Sequence, residues 1–460
     1  MNIQNEELLQ FTTPSEFDYD VFEMDDAKVI GLFQDGHFVD ELSSNGYVIF
    51  DKTCFYAESG GQVADLGAIK NDNFKAKVVD VVKAPNGQHM HKLEVVEGTL
   101  SIGDTCILKI MEDKRLRTRA NHSSIHIVQK VLQDMLSSSI HQAGSYVDED
   151  RLRFDFTYTG KITDDEIAAI EDRVNEKIQK SIKTEINYMS LEEAKKMGAM
   201  ALFTDKYKDI VRIVKIGDSI ELCGGTHIES TDEIHRFAII KIESKVSNLY
   251  ILEGCTNDMV PVLVSEGVSK YVDEMKNLLA KANEILEKAK KEGINLEFFV
   301  NLDQQGLSSY RDIIHNKNQL EYIQTEVRNL EKKYNEEKSK NVSNNLDEYL
   351  NEVKVIDGVN TLVLKVEGKD INDLKTVSDE IINQLGSGVV FFANINGSNV
   401  NFLCKCKDVN SKAGLLVKKA SEMASGRGGG SSTFAQGGAS STDNIDEIIN
   451  SVIEEIKEQR

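Results

Sequence analysis

Two well-separated stretches of the sequence contain the side chains best suited to chemistry. His122-Ser-Ser-Ile-His126 places two imidazoles on one face of a helix, if this segment is helical. Glu221-Leu-Cys-Gly-Gly-Thr-His227 adds a thiol and a third imidazole beside a glycine pair. Three imidazoles and one thiolate suit tetrahedral Zn²⁺ better than Mg²⁺ or Ca²⁺. A lone His-x-x-x-His is usually two unrelated helix residues, but together the two halves predict one zinc ion held by His122, His126, Cys223 and His227.

Composition limits the classes of protein that fit. A chain of 460 residues is long enough for several domains with their own cores. A net charge of -22 argues against a general polyanion-binding surface, so any contact with RNA must use local basic patches. Six cysteines are too few for a disulfide framework in a chain of this size. Without a signal peptide or an apolar run of membrane-spanning length, we expect a cytoplasmic protein with no membrane partner.

Residues 1–110 read as short β-strands separated by turn residues. The β-rich runs are Lys28–Phe33, Gly46–Phe50, Lys75–Val82 and Thr105–Ile110, and Pro85-Asn-Gly87 is a hairpin signal. A small antiparallel β-barrel is the expected closure. The segment Thr53 to Gln62 contains the pair Gly60-Gly61, which either forms an ordinary β-turn or brings backbone amides close to a ligand.

Residues 111–262 predict an α+β domain around the two metal-binding stretches. From Asp113 the pattern is helical, with an apolar stripe beside His122 and His126. Arg151–Phe156 and Ile210–Ile216 alternate like strands, and Thr163 with Glu166 has the spacing of a capping box. The basic cluster before His122 is either a solvated face or a surface for a phosphate backbone, and comprises Lys114, Arg115, Arg117 and Arg119.

The remaining sequence predicts a helical spacer and then an α/β domain. Residues 263–347 carry two apolar helical stripes that predict a helical hairpin or short coiled coil, a candidate surface for homodimerisation. Residues 348–460 return to strands and helices, and Cys404-x-Cys406 is interpreted as strand packing. The glycine-rich stretch 424–438 is interpreted as a loop, either a flexible linker or a close approach to phosphates or RNA, with the second reading favoured.

Several of these blocks together resemble alanyl-tRNA synthetases, from their editing half to their C-terminus. The matching blocks lie at 53–67, 121–126, 142–156, 198–203, 221–227 and 428–438, and the likeness extends over nearly the whole chain. The last block is similar to the signature of the DHHA1 domain. The resemblance implies an N-terminal barrel, a zinc editing domain, a spacer and a DHHA1-like domain. Because no family segment before the barrel has a counterpart, it also implies a free-standing editing protein of the long AlaX type, without aminoacylation activity.

The implied reaction is hydrolysis of the ester of wrongly charged Ser-tRNA(Ala), and of Gly-tRNA(Ala). A site built for alanine cannot strongly reject a smaller analogue or one that adds a hydroxyl, so a second hydrolytic site is useful. By hypothesis Thr53 and Gln62 line the amino-acid end, with the Gly60-Gly61 backbone beside them and the Thr53 hydroxyl reading the seryl hydroxyl. The candidate tRNA contacts are Arg115, Arg117, Arg119, Lys412, Lys418, Lys419 and Arg427.

Departures from the family pattern leave an alternative open. Ser247–Tyr250 stands where the family usually has paired arginines, and Ser431–Thr433 replaces a more usual Arg-Pro-Asp. Both changes remove positive charge where RNA is expected. The alternative is therefore a non-catalytic protein that binds RNA or another partner and keeps a structural zinc. A DHH-type phosphoesterase needs an Asp-His-His motif, which this sequence lacks, and Ser123 replaces the general-base glutamate of a His-Glu-x-x-His peptidase.

Overall fold

The computed structural model describes residues 4–200, 208–303 and 306–459, except for the side chains of 342–344. The described chain forms two compact units, Met1–Asn277 with Asn301–Ile323, and Leu278–Val300 with Gln324–Arg460. The four domain boundaries expected from the sequence stay predictions. Positions 201–203 of the family block at 198–203 lie outside the described residues. No helix among the described residues is long and apolar enough to cross a membrane.

The first unit begins with the predicted antiparallel barrel. Buried and exposed residues alternate along its strands, as a sheet with one face on a core requires. Six strands close because β11 pairs with both β7 and β2. The elements are α1 Glu6–Gln10, β1 Glu16–Phe17, β2 Glu23–Gln34, β3 His37–Phe38, β4 Glu41–Leu42, β5 Gly46–Phe50, β6 Lys52–Thr53, β7 Gly67–Asn71, β8 Phe74–Lys83, β9 His89–Gly98, β10 Leu100–Ser101 and β11 Thr105–Ile110. The predicted barrel and the hairpin at Pro85–Gly87 are confirmed.

An α+β layer follows the barrel and carries the metal-binding stretches. One four-stranded and one three-stranded antiparallel sheet pack with the helices around a shared apolar core. The elements are α2 Glu112–Met135, β12 Gln142–Val147, β13 Leu152–Thr157, α3 Asp164–Gln179, β14 Thr184–Ser190, α4 Leu191–Lys196, β15 Ile210–Ile216, β16 Ser219–Leu222, a 3₁₀ turn Thr231–Ile234, β17 Phe237–Val246 and β18 Leu249–Thr256. The complete capping box belongs to Ser190 and Glu193 on α4. The predicted box on α3 is half formed, because Glu166 bonds the Thr163 hydroxyl and not its backbone N–H.

The region of the predicted spacer contains two long helices, α5 Met259–Lys291 and α6 Tyr310–Asn351. They do not form the predicted antiparallel hairpin. Within the second unit, Lys281 of α5 pairs with Glu331 of α6, and Glu292, one residue past the end of α5, lies near Lys338 farther along α6. Both contacts advance in the same direction, so the two helices run parallel. The hairpin alternative is therefore wrong. The coiled-coil dimer stays a prediction.

The C-terminal sheet belongs to the second unit and has six strands in the order β19-β20-β21-β22-β24-β23. Only the β20–β21 pair is parallel, and α7 makes the crossover between them. The elements are β19 Lys354–Ile356, β20 Val359–Glu367, α7 Ile371–Leu385, β21 Gly388–Asn396, β22 Asn399–Lys407, α8 Ala413–Met423, β23 Arg427–Gly430, β24 Phe434–Ala439 and α9 Ile445–Glu458. Cys404 and Cys406 are buried on β22, as expected for packing.

The glycine-rich stretch is a strand pair and not the predicted loop. A Cβ on Gly428 or Gly437 would lie 2.5 Å or 2.3 Å from the Ser421 hydroxyl of α8, so these glycines let the helix sit directly on the two strands. Gly429 faces open space, because a Cβ there would meet nothing within 4 Å. The Ser431 hydroxyl accepts the Phe434 N–H and shapes the connecting turn.

Arg115 is a buried structural residue in this fold. It is 1% exposed, and its guanidinium makes a salt bridge of 2.5 Å with Asp65, which is 4% exposed. It also donates to the carbonyl of Cys54 at 2.8 Å, so it ties α2 to the barrel. The prediction that Arg115 contacts tRNA is wrong, because the side chain has no access to a phosphate.

We expect Arg115→Ala to lower the free energy of unfolding of the first unit by about 3–5 kcal/mol, because it leaves the Asp65 carboxylate buried without its partner. Urea unfolding followed by circular dichroism measures this loss. Arg153→Ala is the matched control, because Arg153 pairs with Asp155 at the surface and its loss costs less than about 1 kcal/mol. Equal effects of the two variants would contradict the structural role of Arg115.

Candidate metal centre

Helix α2 supplies two of the four predicted ligands. His122 and His126 are one turn apart on its buried face, 8% and 3% exposed, and their ring centroids are 5.4 Å apart. The neighbouring side chains Ile125 and Val128 anchor this part of the helix in the core of the layer. The apolar stripe that predicted the helix is thus the feature that holds both imidazoles at fixed positions.

The loop after β16 brings the other two ligands to the same point. The Cys223 Sγ atom lies 3.5 Å from His122 Nε2 and 3.3 Å from His227 Nε2. All four potential ligand atoms lie within 4.8 Å of one another. Tetrahedral zinc with bonds of about 2.0–2.3 Å separates its ligand atoms by about 3.3–3.6 Å. The four residues therefore fit one zinc ion by both donor type and spacing.

Each imidazole has a partner at its second nitrogen. His122 Nδ1 donates to Gln62 Oε1 at 2.8 Å, and His227 Nδ1 lies 3.0 Å from the Ser123 hydroxyl. His126 Nδ1 lies 3.0 Å from a carboxylate oxygen of Glu221, an ion-pair contact whose angles are not those of a hydrogen bond. Partners of this kind fix the ring tautomer and leave Nε2 free for a metal. The centre therefore has an orienting shell, which a chance cluster of histidines lacks.

The glycine pair of the loop is required by close packing at its second member. A Cβ on Gly225 would lie 2.0 Å from Cε1 of His122, whereas one on Gly224 would meet nothing within 4 Å. Arg212 on β15 donates to the carbonyls of Cys223 and Gly225 at 2.9 Å and 2.8 Å. The loop is thus clamped in a shape that only glycine permits at 225.

Electrostatics prepare the centre for a cation. Burial raises the pKa of Cys223, but His122, His227 and His126 together outweigh it and hold this pKa well below the usual thiol value. Burial lowers the pKa of His126, and the Glu221 and Cys223 anions raise it to about 10. Burial also holds the pKa of His227 well below its usual value. The cluster thus pairs a thiolate with one positive charge, which a metal ion can replace on releasing the proton.

A cavity of about 180 Å³ opens beside the ligands. Besides His122, His126 and the 221–225 segment with Cys223, its lining consists of Tyr56, Ser59, Gly60, Ile125, Gln142, Ser145 and Met200. The Gln142 amide donates to the Ser145 hydroxyl at 2.9 Å, and this polar pair forms part of the cavity wall. Ile125 supplies an apolar surface next to the histidines. The cavity accepts a small group that carries both polar and apolar parts.

Thr53 does not belong to this cavity. It is 1% exposed, and its hydroxyl lies 2.7 Å from His91 Nε2 while accepting the Phe55 N–H at 3.0 Å. His91 Nδ1 donates to the Val48 carbonyl, so the Thr53 hydroxyl is the donor to Nε2 and both of its functions are used. The prediction that Thr53 reads a seryl hydroxyl is therefore wrong. Its role is to hold the segment that follows β6.

Gln62, Gly60 and Gly61 have three separate roles beside the cavity. Gln62 is 1% exposed and holds both His122 and the Thr226 backbone N–H with its carbonyl oxygen. It orients a ligand and does not line the amino-acid end, so that prediction is corrected. Gly60 lines the cavity, and its contact with a substrate stays a prediction. Gly61 packs against Ser145, where a Cβ would lie 2.3 Å from the carbonyl oxygen.

The remaining predicted tRNA contacts lie in varied surroundings. Arg117 has Asp113, Asp150 and Asp258 within 4.0 Å, and Arg119 pairs with Glu233 at 2.8 Å, so carboxylates already engage both. Lys419 pairs with Glu455 at 2.7 Å. The exposed cations among the candidates are Lys412, Lys418 and Arg427. Their contact with tRNA stays a prediction.

Sequence reasoning missed the residues that support the site. Glu221, Ser123 and Arg212 each hold a ligand or the ligand loop, and Tyr19 donates to the Gly224 carbonyl at 2.7 Å. Glu221 and Ser123 stand within or beside the ligand motifs, so their proximity was a usable signal. Nothing in the spacing of Tyr19 or Arg212 indicated their roles.

We expect Gly225→Ala to abolish stoichiometric zinc binding, because its methyl group displaces the His122 ring. Gly224→Ala is the matched control and should keep one zinc per chain. The measurement is metal analysis of dialysed protein, with circular dichroism to verify folding. Retention of one zinc by the folded Gly225→Ala protein would contradict the geometry.

Three sequence-family profiles match separate parts of the chain. The profile described as class II (A) tRNA synthetases matches residues 1–114. The profile of the threonyl and alanyl tRNA synthetase second additional domain matches residues 211–250, which contain Cys223 and His227. The DHHA1 domain profile matches residues 358–458.

Curated relatives match almost the whole chain. The alanine–tRNA ligase of Acetivibrio thermocellus is 36% identical over 440 residues, covering 94% of this chain and 46% of the ligase. That of Bacillus velezensis is 35% identical over 465 residues, covering 99% of this chain and 49% of the ligase. The chain thus spans about half the length of these relatives. The crystal structure of the C-Ala domain from Aquifex aeolicus alanyl-tRNA synthetase covers 23% of the chain at 21% identity with a TM-score of 0.22, too low for any argument. These profiles and ligases show that the chain is related to alanyl-tRNA synthetases along almost its whole length.

Proposed function

We propose that this chain hydrolyses the ester of Ser-tRNA(Ala), and of Gly-tRNA(Ala), acting in trans on tRNA charged by another enzyme. The observation that carries the proposal is the cluster of three imidazoles and one thiol, of which His122, His126 and Cys223 line a small cavity. The profile match at 211–250 supports it, because that match contains half of the ligands.

The size of the cavity favours an amino-acid group as its occupant. At about 180 Å³ it is smaller than the roughly 300–1,000 Å³ of sites that enclose a drug-sized ligand. A seryl or glycyl group fits such a volume, whereas a whole nucleotide does not. The Gln142–Ser145 pair offers hydrogen-bonding partners for a seryl hydroxyl. A site that bonds a hydroxyl would discriminate against alanine relative to serine. This contact plays no part in hydrolysis of the glycyl ester, because glycine has no hydroxyl.

The residues of the chain fix the metal ligands and the wall of the cavity that would hold the ester. Gln62, Ser123 and Glu221 fix the imidazoles, and the clamped 223–225 loop keeps the cavity wall in place. Zinc held by the four ligands would supply a Lewis acid that binds and orients the aminoacyl end or lowers the pKa of water. Among the described residues that line the cavity, Glu221 carries the one carboxylate, and this carboxylate is paired with His126. Four protein ligands form a closed set, which favours orientation over water activation.

The second candidate function is RNA or partner binding without catalysis, around a structural zinc. The closed four-ligand set favours it, because catalytic zinc usually keeps an open position. The two candidates differ in one observable, which is the rate of ester loss in the zinc-loaded protein. Retained RNA binding with no such rate would select the non-catalytic function.

We expect the zinc-loaded protein to deacylate Ser-tRNA(Ala) and Gly-tRNA(Ala), to spare Ala-tRNA(Ala), and to lose activity with a chelator. Cys223→Ala should lower the rate by roughly 100-fold or more, because it removes a ligand. Cys406→Ala, a buried thiol of the other unit, is the matched control. Ester loss is followed by acid precipitation of labelled amino acid. Equal rates for Cys223→Ala and the unchanged protein would contradict the proposal.

A further inference from the structure

The rim of the metal cavity carries an aromatic ring and two ammonium groups that the hydrolytic centre does not use. We propose that this rim binds the unpaired 3′-terminal nucleotides of RNA, with Tyr188 stacking on the terminal base and Lys83 and Lys208 holding adjacent phosphates. The inference rests on the proposed function, because it places the nucleoside that carries the ester next to the cavity.

Tyr188 is an exposed aromatic side chain on a strand that borders the site. It is 63% exposed and lies opposite Arg212 in the register of β14 and β15. Directly opposed residues of antiparallel strands project from the same face. Ile186 and Ile210 share this face and are 40% and 59% exposed. Such a grouping of exposed large apolar side chains is typical of a binding surface.

A short series of contacts joins Tyr188 to the ligand loop. The guanidinium carbon of its neighbour Arg212 lies 3.9 Å from the centre of the Tyr19 ring. Arg212 donates to the Cys223 carbonyl, and the Tyr19 hydroxyl donates to the Gly224 carbonyl. Cys223 and Gly224 both line the cavity. A base on Tyr188 is thus separated from the cavity wall by one layer of side chains.

Two lysines lie near Ser59, at the edge of the cavity. Lys83 Nζ donates to the hydroxyl of Ser59, a lining residue, at 3.3 Å. Burial lowers the pKa of Lys83, and the Lys208 ammonium nearby lowers it further. Within residues 4–200, 208–303 and 306–459, no carboxylate forms an ion pair with either lysine. Two neighbouring ammonium groups without a carboxylate between them attract an anion.

The chemistry of this rim fits single-stranded nucleic acid better than another ligand. An aromatic platform combined with cations is the usual arrangement for unpaired nucleotides, whose bases stack while their phosphates meet lysines. The chain carries a net charge of -22, so a local basic site is the part able to hold a polyanion. The cavity of about 180 Å³ holds the aminoacyl group alone, which leaves the terminal base outside at the rim.

The test measures binding of a 5′-fluorescein-labelled RNA pentamer ending in ACCA, and of the same RNA with an abasic 3′ nucleotide, by fluorescence anisotropy. Tyr188→Ala should weaken binding of the first RNA about tenfold and remove the difference between the two, because stacking on the base is lost. Tyr188→Phe should retain both. Tyr322→Ala, another exposed tyrosine of the same unit at 43% exposure, should change Kd by less than about twofold.

The lysines are tested by salt dependence. The double variant K83Q/K208Q should weaken binding of both RNAs alike and reduce the slope of log Kd against log salt by about 0.7 for each phosphate that is no longer neutralised. The double variant K70Q/K77Q removes the same charge from the barrel strands β7 and β8 and should leave the slope unchanged. Equal effects of the two double variants, or an unchanged Kd in Tyr188→Ala, would overturn the inference.

Hydrolysis assays separate this inference from the proposed function. With Ser-tRNA(Ala) as substrate, Tyr188→Ala should raise KM and leave kcat near its original value, because the residue contacts the base and not the ester. Hydrolysis whose KM does not depend on Tyr188 would overturn the rim site alone. Pentamer binding that depends on Tyr188, in a zinc-loaded protein without deacylation, would overturn the proposed function and support the rim.

Discussion

One buried carboxamide holds together the three elements that build the metal centre. Gln62 comes from the loop after β6, and its carbonyl oxygen accepts from His122 on α2 and from the Thr226 backbone N–H in the ligand loop. Its amide donates to the Thr226 hydroxyl at 2.7 Å. Because Gln62 is 1% exposed, losing any partner would leave a buried polar group unsatisfied. The relative positions of barrel, helix and loop are fixed by this set of bonds.

The proposed chemistry follows from that rigidity. Imidazoles whose Nδ1 atoms are engaged present Nε2 in one direction, so a metal ion meets a preformed set of donors. The same packing limits the cavity to about 180 Å³, which separates the aminoacyl group inside from the nucleoside outside. The Arg115–Asp65 pair and the Arg212 clamp serve the same end, since they tie α2 to the barrel and β15 to the loop. Binding and selectivity therefore depend more on where the polar groups are held than on how many of them there are.

The sequence predicted the features that depend on local periodicity and on ligand chemistry. The β-rich run Lys75–Val82 predicted a barrel strand, the stripe beside His122 predicted α2, and the two motifs predicted the ligand set. It misplaced Thr53 and Arg115, because a local pattern does not show that His91 or Asp65 approaches from a distant part of the chain. It missed the parallel course of α5 and α6, which depends on the path of the connection between them. It read 424–438 as a loop, because glycines that allow α8 to pack closely resemble glycines of a flexible segment.

X-ray absorption at the zinc edge of the loaded protein tests the central claim most directly. The account predicts four-coordinate zinc with one sulfur at about 2.3 Å and three imidazole nitrogens at about 2.0–2.1 Å. A sulfur-free shell, two or more sulfurs, or fewer than three imidazoles would contradict it.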